Sequence, residues 1–328
     1  MKAITLREFG GPEVMQLGEV DKPSPGDGQL LVKVVNTSVN RPDVIQRMGN
    51  YPPPPGDSEI LGLEIAGVVE ACGPGTERFM PGDPVFGLVG GGGYAEYALA
   101  REDHCMPIPD ALEFEQAACI CETYITAYLN LFLLGEAMNK PAVLIHGGGG
   151  GVATSAIQLC RALTPDTRIF VTASTGKLER VREQGAHQVI DYREQDFAEE
   201  IRNLTDRRGV DVILDHIGAD YLERNMKSLA LAGTLMLIGV MGGIKAELNL
   251  ATMMVKRQRI IGSVLRSRPP AEKAAIIEKF EADVLPLFAS AKIEPLIDAR
   301  FPLADAAQAH RLMEKSGHFG KIVLSNQG

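Results

Sequence analysis

The amino-acid sequence predicts an α/β protein, with a doubly wound parallel sheet in one domain and a second domain that is mostly β. The main observation is that strand-like and helix-like segments alternate over residues 122–268, a pattern typical of βαβ units. A string of glycines follows the first of these strands. Residues 1–121 instead form short strand-like segments between turns rich in proline and glycine. At 328 residues the chain is long enough for about two domains.

Composition and charge disfavour several classes of protein. The chain has 33 basic and 42 acidic residues, a net charge of −9, which argues against binding to nucleic acid or to an anionic membrane. Arg7 and Glu8 precede any apolar region, and no later segment has the apolar length of a membrane span. The 5 cysteines include no CxxC pair, which indicates reduced thiols. We therefore expect a cytoplasmic protein.

Strands of the first domain are expected near residues 30–35, 65–71 and 94–99, between the turns PSPGDG, YPPPPGD and MPGDP. An apolar, helix-like stretch then runs from Phe114 to Leu134 and ends at Gly135, a residue type that often terminates helices. This change of pattern leads into the second domain.

The second domain shows six strand-like segments, near residues 143–146, 169–173, 188–191, 210–215, 234–239 and 260–264. Helix-like segments between them include residues 154–162, 177–184 and 221–229. Six alternating strands of this kind match the doubly wound (Rossmann) fold that binds dinucleotides.

The C-terminal segment, residues 269–328, is too short to form a domain alone. Ile276, Phe280, Val284 and Phe288 recur at intervals of four and predict a helix with one apolar face. A short strand is expected at residues 321–324. We expect this segment to return to the N-terminal domain and complete it.

The glycine string follows the strand AVLIH and precedes a helix. Gly148-x-Gly150-x-x-Ala153 therefore has the context of a dinucleotide fingerprint, in which glycines let the backbone approach a pyrophosphate and the helix N-terminus supplies N–H donors. The alternative is a flexible surface loop. A second string, Gly90 to Gly93, has no helix after it and is expected to be a turn.

The segment after the second strand of this domain favours NADP over NAD. An NAD site needs Asp or Glu there to accept the ribose hydroxyls, and the sequence is Val171-Thr172-Ala173-Ser174-Thr175-Gly176-Lys177. Ser174 and Lys177 suit a 2′-phosphate, and Arg180 and Tyr192 are further candidates for the adenine side. The alternative is that Lys177 and Arg180 belong to an ordinary solvated helix face.

Several motifs, spread from end to end of the chain, together resemble one family. They are Asn40-Arg41-Pro42-Asp43, ILGLEIAG at 60–67, PGD at 81–83, Tyr124-Ile125-Thr126-Ala127, the glycine string and GKIVL at 320–324. With these motifs the chain resembles the zinc-free quinone oxidoreductases, a group of the medium-chain dehydrogenases/reductases. The segments NRPDVIQRMGNYPPPPG, GVMGG and LRSR resemble the p53-inducible members of that group. The resemblance implies a GroES-like N-terminal domain.

Site residues follow from this resemblance as implications. Asn40 and Thr126 are expected near the nicotinamide and its ribose, with Gly148, Gly150, Gly151 and Val152 at the pyrophosphate. Ser174, Lys177 and Tyr192 are expected to contact the adenosine phosphate. Val240, Met241 and Gly242 are also expected at the nicotinamide. Gly320 and Lys321 are expected to close over the cofactor.

Zinc is not expected. Asn40, Arg41 and Leu63 occupy the places where zinc-dependent relatives carry ligands, and these side chains cannot form a thiolate and imidazole site. Glu64 is interpreted as a buried or paired structural carboxylate, and Cys119 and Cys121 as packing residues. Cys121 and Gly150 depart from residues common in relatives, which leaves the level of activity open.

The favoured function is an NADPH-dependent reductase of quinones or related conjugated carbonyls, acting without metal. The alternatives are an enoyl-thioester reductase, or a weakly active NADPH-binding protein with a structural or RNA-binding role. Tyr51, stiffened by the prolines after it, is expected to face the acceptor together with Asn40 and to offer its hydroxyl to the developing oxyanion, unless it only packs. We expect a homodimer that pairs the edge strand at 260–264, and a small-molecule partner rather than nucleic acid or membrane.

Overall fold

The chain divides into two units, which are described separately. In this computed structural model, which describes residues 1–326, the first unit consists of Met1–Ile125 and the segment that begins at Arg266, and the second is Thr126–Leu265. The sequence had placed these boundaries after residues 121 and 268. None of the helices within residues 1–326 is long and apolar enough to cross a membrane.

The first unit is built on β-structure, as the sequence predicts. Its strands are β1 (Lys2–Leu6), β2 (Met15–Glu19), β3 (Gln29–Val39), β4 (Glu64–Cys72), β5 (Pro84–Leu88), β6 (Tyr97–Arg101) and β7 (Cys105–Pro107), with two later strands, Ile297–Pro302 and Lys321–Ser325. Strands β1 and β2 form an antiparallel pair. The other seven form one sheet, in which β3 pairs with β4, β6 and the C-terminal strand Lys321–Ser325.

Helices of 4 to 20 residues also belong to this unit. They are α1 (Arg41–Arg47), α2 (Phe114–Ala117) and the start of α3 (Cys121–Tyr128), followed in the C-terminal segment by Pro270–Ala289 and Ala306–Glu314. The core packs β-branched and leucine side chains of β3 against β4 and β5, with Leu30, Val32, Ile65, Val69 and Val85 almost inaccessible to solvent. Burial of such side chains is the main contribution to the stability of the unit.

The second unit is a six-stranded parallel sheet with helices along its length. Its strands are β8 (Ala142–Ile145), β9 (Arg168–Ala173), β10 (Gln188–Asp191), β11 (Val210–Asp215), β12 (Leu229–Leu237) and β13 (Arg259–Gly262), in the order β10-β9-β8-β11-β12-β13. Its helices are α4 (Gly151–Leu163), α5 (Leu178–Glu183), α6 (Phe197–Leu204), α7 (Ala219–Ser228) and α8 (Leu250–Lys256). This strand order reverses direction between β8 and β11, the place where doubly wound sheets bind ligands. The predicted fold class is confirmed.

The C-terminal segment contributes α9 (Pro270–Ala289), β14 (Ile297–Pro302), α10 (Ala306–Glu314) and β15 (Lys321–Ser325) to the first unit. The four apolar residues that predicted a helix, Ile276, Phe280, Val284 and Phe288, are all buried within α9. Strand β15 lies between β14 and β3, parallel to the former and antiparallel to the latter. The C-terminal segment therefore supplies two strands of the first unit's sheet.

Several predicted elements differ from the structure in their bounds, and the apolar stretch 114–134 is divided into α2, α3 and a helical turn at Leu129–Leu134. The strand expected at 94–99 begins only at Tyr97, because the backbone of Tyr94 is bonded instead to Leu61 and Ile4. The strand expected at 234–239 begins earlier, at Leu229, and its register with β11 shifts after Val210. The helix expected at 177–184 begins at Leu178, after a 3₁₀ turn.

Candidate functional site

The glycine string forms the turn between β8 and α4. Gly147 adopts φ +67°, a left-handed conformation that favours glycine. A Cβ on Gly148 would lie 2.5 Å from Val171 Cγ1, and one on Gly149 would lie 2.4 Å from Lys177 Cδ. Gly150 then caps the thirteen-residue helix α4, whose first-turn N–H groups have no carbonyl partner within the helix. The loop thus presents bare backbone and helix N–H groups, the requirement for binding a pyrophosphate.

The Lys177 side chain lies against this loop. Its Nζ is 3.0 Å from the position that a Cβ of Gly149 would take. Ser174 directly follows β9 and is half-buried, while Arg180, one helical turn beyond Lys177, is exposed. Tyr192 directly follows β10, the neighbour of β9, and its N–H donates to the carbonyl of Ala173. The sheet therefore brings Ser174 and Tyr192 to adjacent strand ends, and Lys177 lies against the glycine loop.

A buried polar chain lies directly below the glycine loop, and sequence analysis did not find it. His146 Nδ1 is 2.9 Å from Thr172 Oγ1, and His146 Nε2 is 2.7 Å from Asn225 Oδ1. Asn225 Nδ2 donates to Asp215 Oδ2 at 3.0 Å, so Asn225 Oδ1 must accept from a protonated His146 Nε2. Burial lowers the pKa of His146 to about 3, so the imidazole is neutral and its Nδ1 accepts from the Thr172 hydroxyl.

This chain ties the ends of three strands to helix α7. Asp215 also accepts from the N–H groups of Ile217 and Gly218, at 2.7 and 3.1 Å. Burial raises the pKa of Asp215 to about 6 although these donors oppose the shift. Gly147 N–H donates to Thr172 Oγ1 at 3.4 Å. This hydrogen-bonded chain of side chains therefore helps to position Gly147, the first residue of the glycine loop.

The segment after β12 contains the next predicted site residues. Met241 N–H donates to the carbonyl of His216, and Gly242 N–H to that of Ile217. Val240 and Met241 are about half exposed. These bonds join the loops that follow β11 and β12, so Val240, Met241 and Gly242 lie at the same edge of the sheet as the glycine loop.

A π-helix, Leu129–Leu134, continues α3 and ends at Gly135, as the sequence predicts for the end of this apolar stretch. Asn130 Nδ2 donates to the carbonyl of Thr126 at 2.8 Å. Asn130 Oδ1 is buried and has no hydrogen-bond partner in the part of the chain that the structure describes. Buried orphan acceptors are uncommon, and π-helical turns are frequent at functional sites. Asn130 is thus a candidate that the sequence did not identify.

The first unit contains a buried ionic cluster centred on Glu64. One carboxylate oxygen, Oε1, accepts from Ser38 Oγ at 2.5 Å, from Asn40 Nδ2 at 2.9 Å and from Lys321 Nζ at 2.9 Å. The other, Oε2, accepts from the backbone N–H of Glu122 at 2.9 Å. The interpretation of Glu64 as a buried, paired carboxylate is correct.

Lys321 is fully engaged in this cluster. Its ammonium also donates to Asn40 Oδ1 at 2.5 Å. Burial alone would lower the pKa of Lys321, but the charge of Glu64 and the bond to it outweigh that effect and raise it. The preceding residue, Gly320, has φ +93°, and a Cβ there would lie 2.3 Å from the carbonyl oxygen of Leu296. The backbone conformation that leads into Lys321 therefore requires glycine. Lys321 thus holds Asn40 and Glu64 together, and the sequence had assigned it only to closure over a cofactor.

A second polar chain supports the N-terminus of α1. Asp43 is fully buried and accepts from Asn40 N–H at 2.7 Å, Gly62 N–H at 3.2 Å and the Tyr94 hydroxyl at 3.2 Å. The Tyr94 oxygen is 3.1 Å from His310 Nε2, and His310 Nδ1 is 3.1 Å from Arg47 Nη1. Because arginine only donates, Nδ1 accepts and Nε2 carries the proton. Burial raises the pKa of Asp43 to about 6 and lowers that of His310 to about 3.

Tyr51 is half-buried, and the guanidinium carbon of Arg266 is 5.2 Å from its ring centroid. Arg266 is itself buried and donates to the carbonyls of Gly90 and Tyr51. Within residues 1–326 the Tyr51 hydroxyl forms no hydrogen bond. Burial, with the charge of Glu122, raises the pKa of Tyr51 to about 12. The phenol is therefore neutral and has its donor available.

At the positions where zinc-dependent relatives carry zinc ligands, the side chains of this protein form other contacts. Asn40 belongs to the Glu64 cluster, and Arg41 Nη2 donates to the carbonyl of Met313 at 2.9 Å. Leu63 is buried, and so are Cys119 and Cys121. In residues 1–326, no group of three histidine, cysteine, aspartate or glutamate side chains is arranged to hold a metal ion.

Family comparisons agree with this architecture. Residues 26–110 match the family model described as alcohol dehydrogenase GroES-like domain, and residues 184–324 match the model described as zinc-binding dehydrogenase. The chain is 34% identical to the quinone oxidoreductase of Rattus norvegicus over 99% of its own length and 97% of the relative's. It is also 34% identical to that of Homo sapiens, with the same coverage.

Solved structures give the same result. The Escherichia coli quinone oxidoreductase complexed with NADPH superposes with a TM-score of 0.88 at 28% identity, over 99% of this chain and 100% of that one. A mycobacterial protein complexed with NADPH gives a TM-score of 0.89 at 30% identity, with the same coverage. The fold and site thus define a medium-chain oxidoreductase, and the chain belongs to the quinone oxidoreductase family. The resemblance stated from the sequence is confirmed.

The Glu64–Lys321 pair generates a stability prediction. Replacing Lys321 with Met leaves a buried carboxylate without its cation, and we expect a loss of about 3–5 kcal/mol in the free energy of unfolding. Adding Glu64→Gln should recover part of this loss, because the uncompensated charge is removed. Urea denaturation measures both variants. Lys22→Met, which breaks the exposed Lys22–Glu70 pair, is the control and should change little. Equal small effects of Lys321→Met and Lys22→Met would contradict the prediction.

Proposed function

We propose that this protein is an NADPH-dependent quinone oxidoreductase that reduces quinones or related conjugated carbonyls. The observation that carries the proposal is the Lys177 ammonium beside the glycine loop, 3.0 Å from a Gly149 Cβ position. A cation there, with Ser174 and no carboxylate at the end of β9, favours a 2′-phosphate over a bare ribose hydroxyl. The family membership supports the acceptor class.

The second unit has the features that NADPH requires. The close approach at Gly148 and the N-terminus of α4 make a cradle of backbone N–H groups. Gly148, Gly150, Gly151 and Val152 would hold the pyrophosphate, with Ser174, Lys177 and Tyr192 at the adenosine phosphate and Thr126, Val240, Met241 and Gly242 at the nicotinamide end. The orphaned Asn130 Oδ1 offers an acceptor beside Thr126. When bound, the cofactor supplies the hydride.

The first unit supplies the residues proposed to position the acceptor. Asn40 is held rigidly, because its amide oxygen accepts from Lys321 and its amide nitrogen donates to Glu64. Tyr51 presents an aromatic ring and an available hydroxyl. We assign Tyr51 to stacking on a flat acceptor and to stabilising the oxygen where negative charge develops. Gly320 and Lys321 are assigned to the cofactor side of the same cluster.

Other partners and functions have less support. An enoyl reductase superposes with a TM-score of 0.88 but at 24% identity, a likeness of fold alone. The net charge of −9 argues against an RNA-binding role or a membrane surface. We propose a cytoplasmic location, reduced thiols and a small-molecule substrate.

Replacing Lys177 with Ala tests the cofactor assignment. We expect wild type to bind NADPH at least about tenfold more tightly than NADH, because a charge-assisted bond is worth about 1.5–3 kcal/mol. Lys177→Ala should remove most of this preference. Arg182→Ala is the matched control, since it removes an equal charge from the exposed face of α5. Equal dissociation constants of wild type for the two cofactors, measured by calorimetry, would refute the assignment.

Replacing Tyr51 with Phe separates the hydroxyl from the ring. If the hydroxyl stabilises developing charge, kcat should fall roughly 10- to 1,000-fold while NADPH affinity stays unchanged. If only stacking matters, Tyr51→Phe should be nearly silent and Tyr51→Ala should raise KM. Tyr97→Phe on β6 is the control for a general effect of losing a tyrosine hydroxyl. Wild-type kinetics in both Tyr51 variants would remove this residue from the site.

We also propose a homodimer formed through the β13 edge. Strand β13 ends the order of the parallel sheet, and nearby side chains are exposed and apolar, including Ile244, Leu250, Met254, Val255 and Val264. Such an edge is a liability unless a partner covers it. Light scattering should give twice the chain mass at micromolar concentration. Val264→Glu should shift the protein toward monomer, whereas Gln188→Glu, an exposed position on β10 at the opposite edge of the sheet, should not. A monomeric wild type would disprove the interface.

A further inference from the structure

Glu122, in the first unit, has a carboxyl group that takes no part in binding the cofactor or in the Glu64 ion pair. It is the second residue of α3 and is half-buried. Its backbone N–H is fixed by the bond to Glu64 Oε2 at 2.9 Å. Its own carboxyl oxygens form no hydrogen bond or ion pair among residues 1–326, in contrast to Glu64 with four donors and Asp43 with three. Glu122 is therefore positioned by its backbone while its side chain has no donor to stabilise a negative charge.

The cations nearest to this carboxyl group are already engaged. Lys321 binds Glu64 and Asn40. Arg266 binds the carbonyls of Gly90 and Tyr51, and Lys273 donates to the carbonyl of Arg266. The groups that act on Glu122 from the surrounding elements are thus two carboxylates, Glu64 on β4 and Asp43 on α1, opposed more weakly by Lys321 and Arg266.

This environment keeps Glu122 protonated near neutral pH. Burial, followed by the like charges of Glu64 and Asp43, raises the pKa of Glu122 to about 8. The charge of Glu122 also raises the pKa of Tyr51, and the Glu64 carboxylate that accepts from the Glu122 backbone accepts from Asn40 as well, so Glu122 belongs to the same cluster as Asn40. Glu122 and Tyr51 differ as acids. An acid whose pKa lies near the working pH donates more effectively than a phenol with a pKa of about 12.

We propose that Glu122 is the proton donor for the reduction, a role that rests on the proposed function. A quinone that has received a hydride from the nicotinamide holds two more electrons and one more hydrogen, and one of its oxygens is an anion. The O–H bond of Glu122 breaks as an O–H bond forms on that oxygen, which completes the hydroquinone. The Glu122 carboxylate then regains a proton from water, which reaches the residue because it is only partly buried.

The kinetic test compares Glu122→Gln with wild type, using naphthoquinone as acceptor. In wild type kcat should fall as pH rises through about 8, because only the protonated acid donates. In Glu122→Gln kcat near neutral pH should fall at least about tenfold, and this pH dependence should vanish, with NADPH affinity unchanged. Glu122→Asp should restore part of the rate and a descending limb. Glu59→Gln, an exposed glutamate of the same unit, is the control and should keep the wild-type profile.

A second readout does not depend on turnover. The folded state binds the Glu122 proton more tightly than the unfolded chain, so ionising this group destabilises the fold as pH rises from its usual value toward about 8. Glu122→Gln should therefore unfold at a higher temperature than wild type at pH about 9, and the difference should shrink at pH about 5. Infrared spectra should show a protonated carboxyl band near neutral pH that is lost in Glu122→Gln and kept in Glu59→Gln.

The outcomes separate two failures. An active wild type whose pH profile and rate are unchanged by Glu122→Gln would overturn the donor role and leave the proposed function intact. No quinone turnover by wild type, with NADPH bound, would overturn the proposed function and the donor role with it. A wild-type infrared spectrum without the protonated band near neutral pH would also overturn the donor role. Loss of rate and of the descending limb, together with the stability difference, supports it.

Discussion

The ion pair between Lys321 and Glu64 is the interaction on which the first unit's site depends. It joins the last strand, β15, to β4, and through the shared oxygen Oε1 it also fixes Asn40 at the start of α1. Through Oε2 it fixes the backbone of α3 at Glu122. Removing two charges from water is costly, and the cost is offset only when further donors complete the shell. Glu64 has that shell, so the pair can hold four segments in one arrangement.

The second unit also fixes its loop through a buried polar chain, in this case without a buried cation. The Asp215–Asn225–His146–Thr172 chain links β11, α7, β8 and β9 below the glycine loop. Each member has a donor or acceptor role that the next member requires, so the chain specifies one tautomer of His146. Because this chain fixes the strand ends, the glycine loop can be held in place without side chains of its own. The loop needs close approach to a ligand, and the rigidity comes from the layer beneath it.

Sequence patterns predicted the fold and the nucleotide loop because both depend on local features. The alternation of strands and helices, Gly148, Gly150, Ala153 and the apolar face of α9 are each visible within a short window. Glu64 was recognised as a buried carboxylate from the absence of zinc ligands. The pairing of Glu64 with Lys321 joins residues 257 positions apart, and no local pattern reveals it. His146, Asn225 and Glu122 were missed for the same reason, since their chemistry comes from neighbours distant in the chain, whereas Asn130 bonds locally to Thr126 and stands out only because burial leaves its amide oxygen without a partner.

The three acidic side chains around Asn40 show how one cluster can assign different roles to one chemical group. Glu64 accepts four donors, one of them the Lys321 ammonium and one the backbone N–H of Glu122, so its carboxylate anchors the backbone of α3. Asp43 accepts three neutral donors, and burial raises its pKa to about 6, so it changes charge in mildly acidic solution. Glu122 accepts none and, next to the other two, has a pKa of about 8. Of Asp43 and Glu122, the group without donors thus has the higher pKa. One cluster thus combines a carboxylate that anchors backbone through its donors with a carboxyl group whose pKa is raised by burial and by its acidic neighbours, and the difference comes from which donors each side chain can reach.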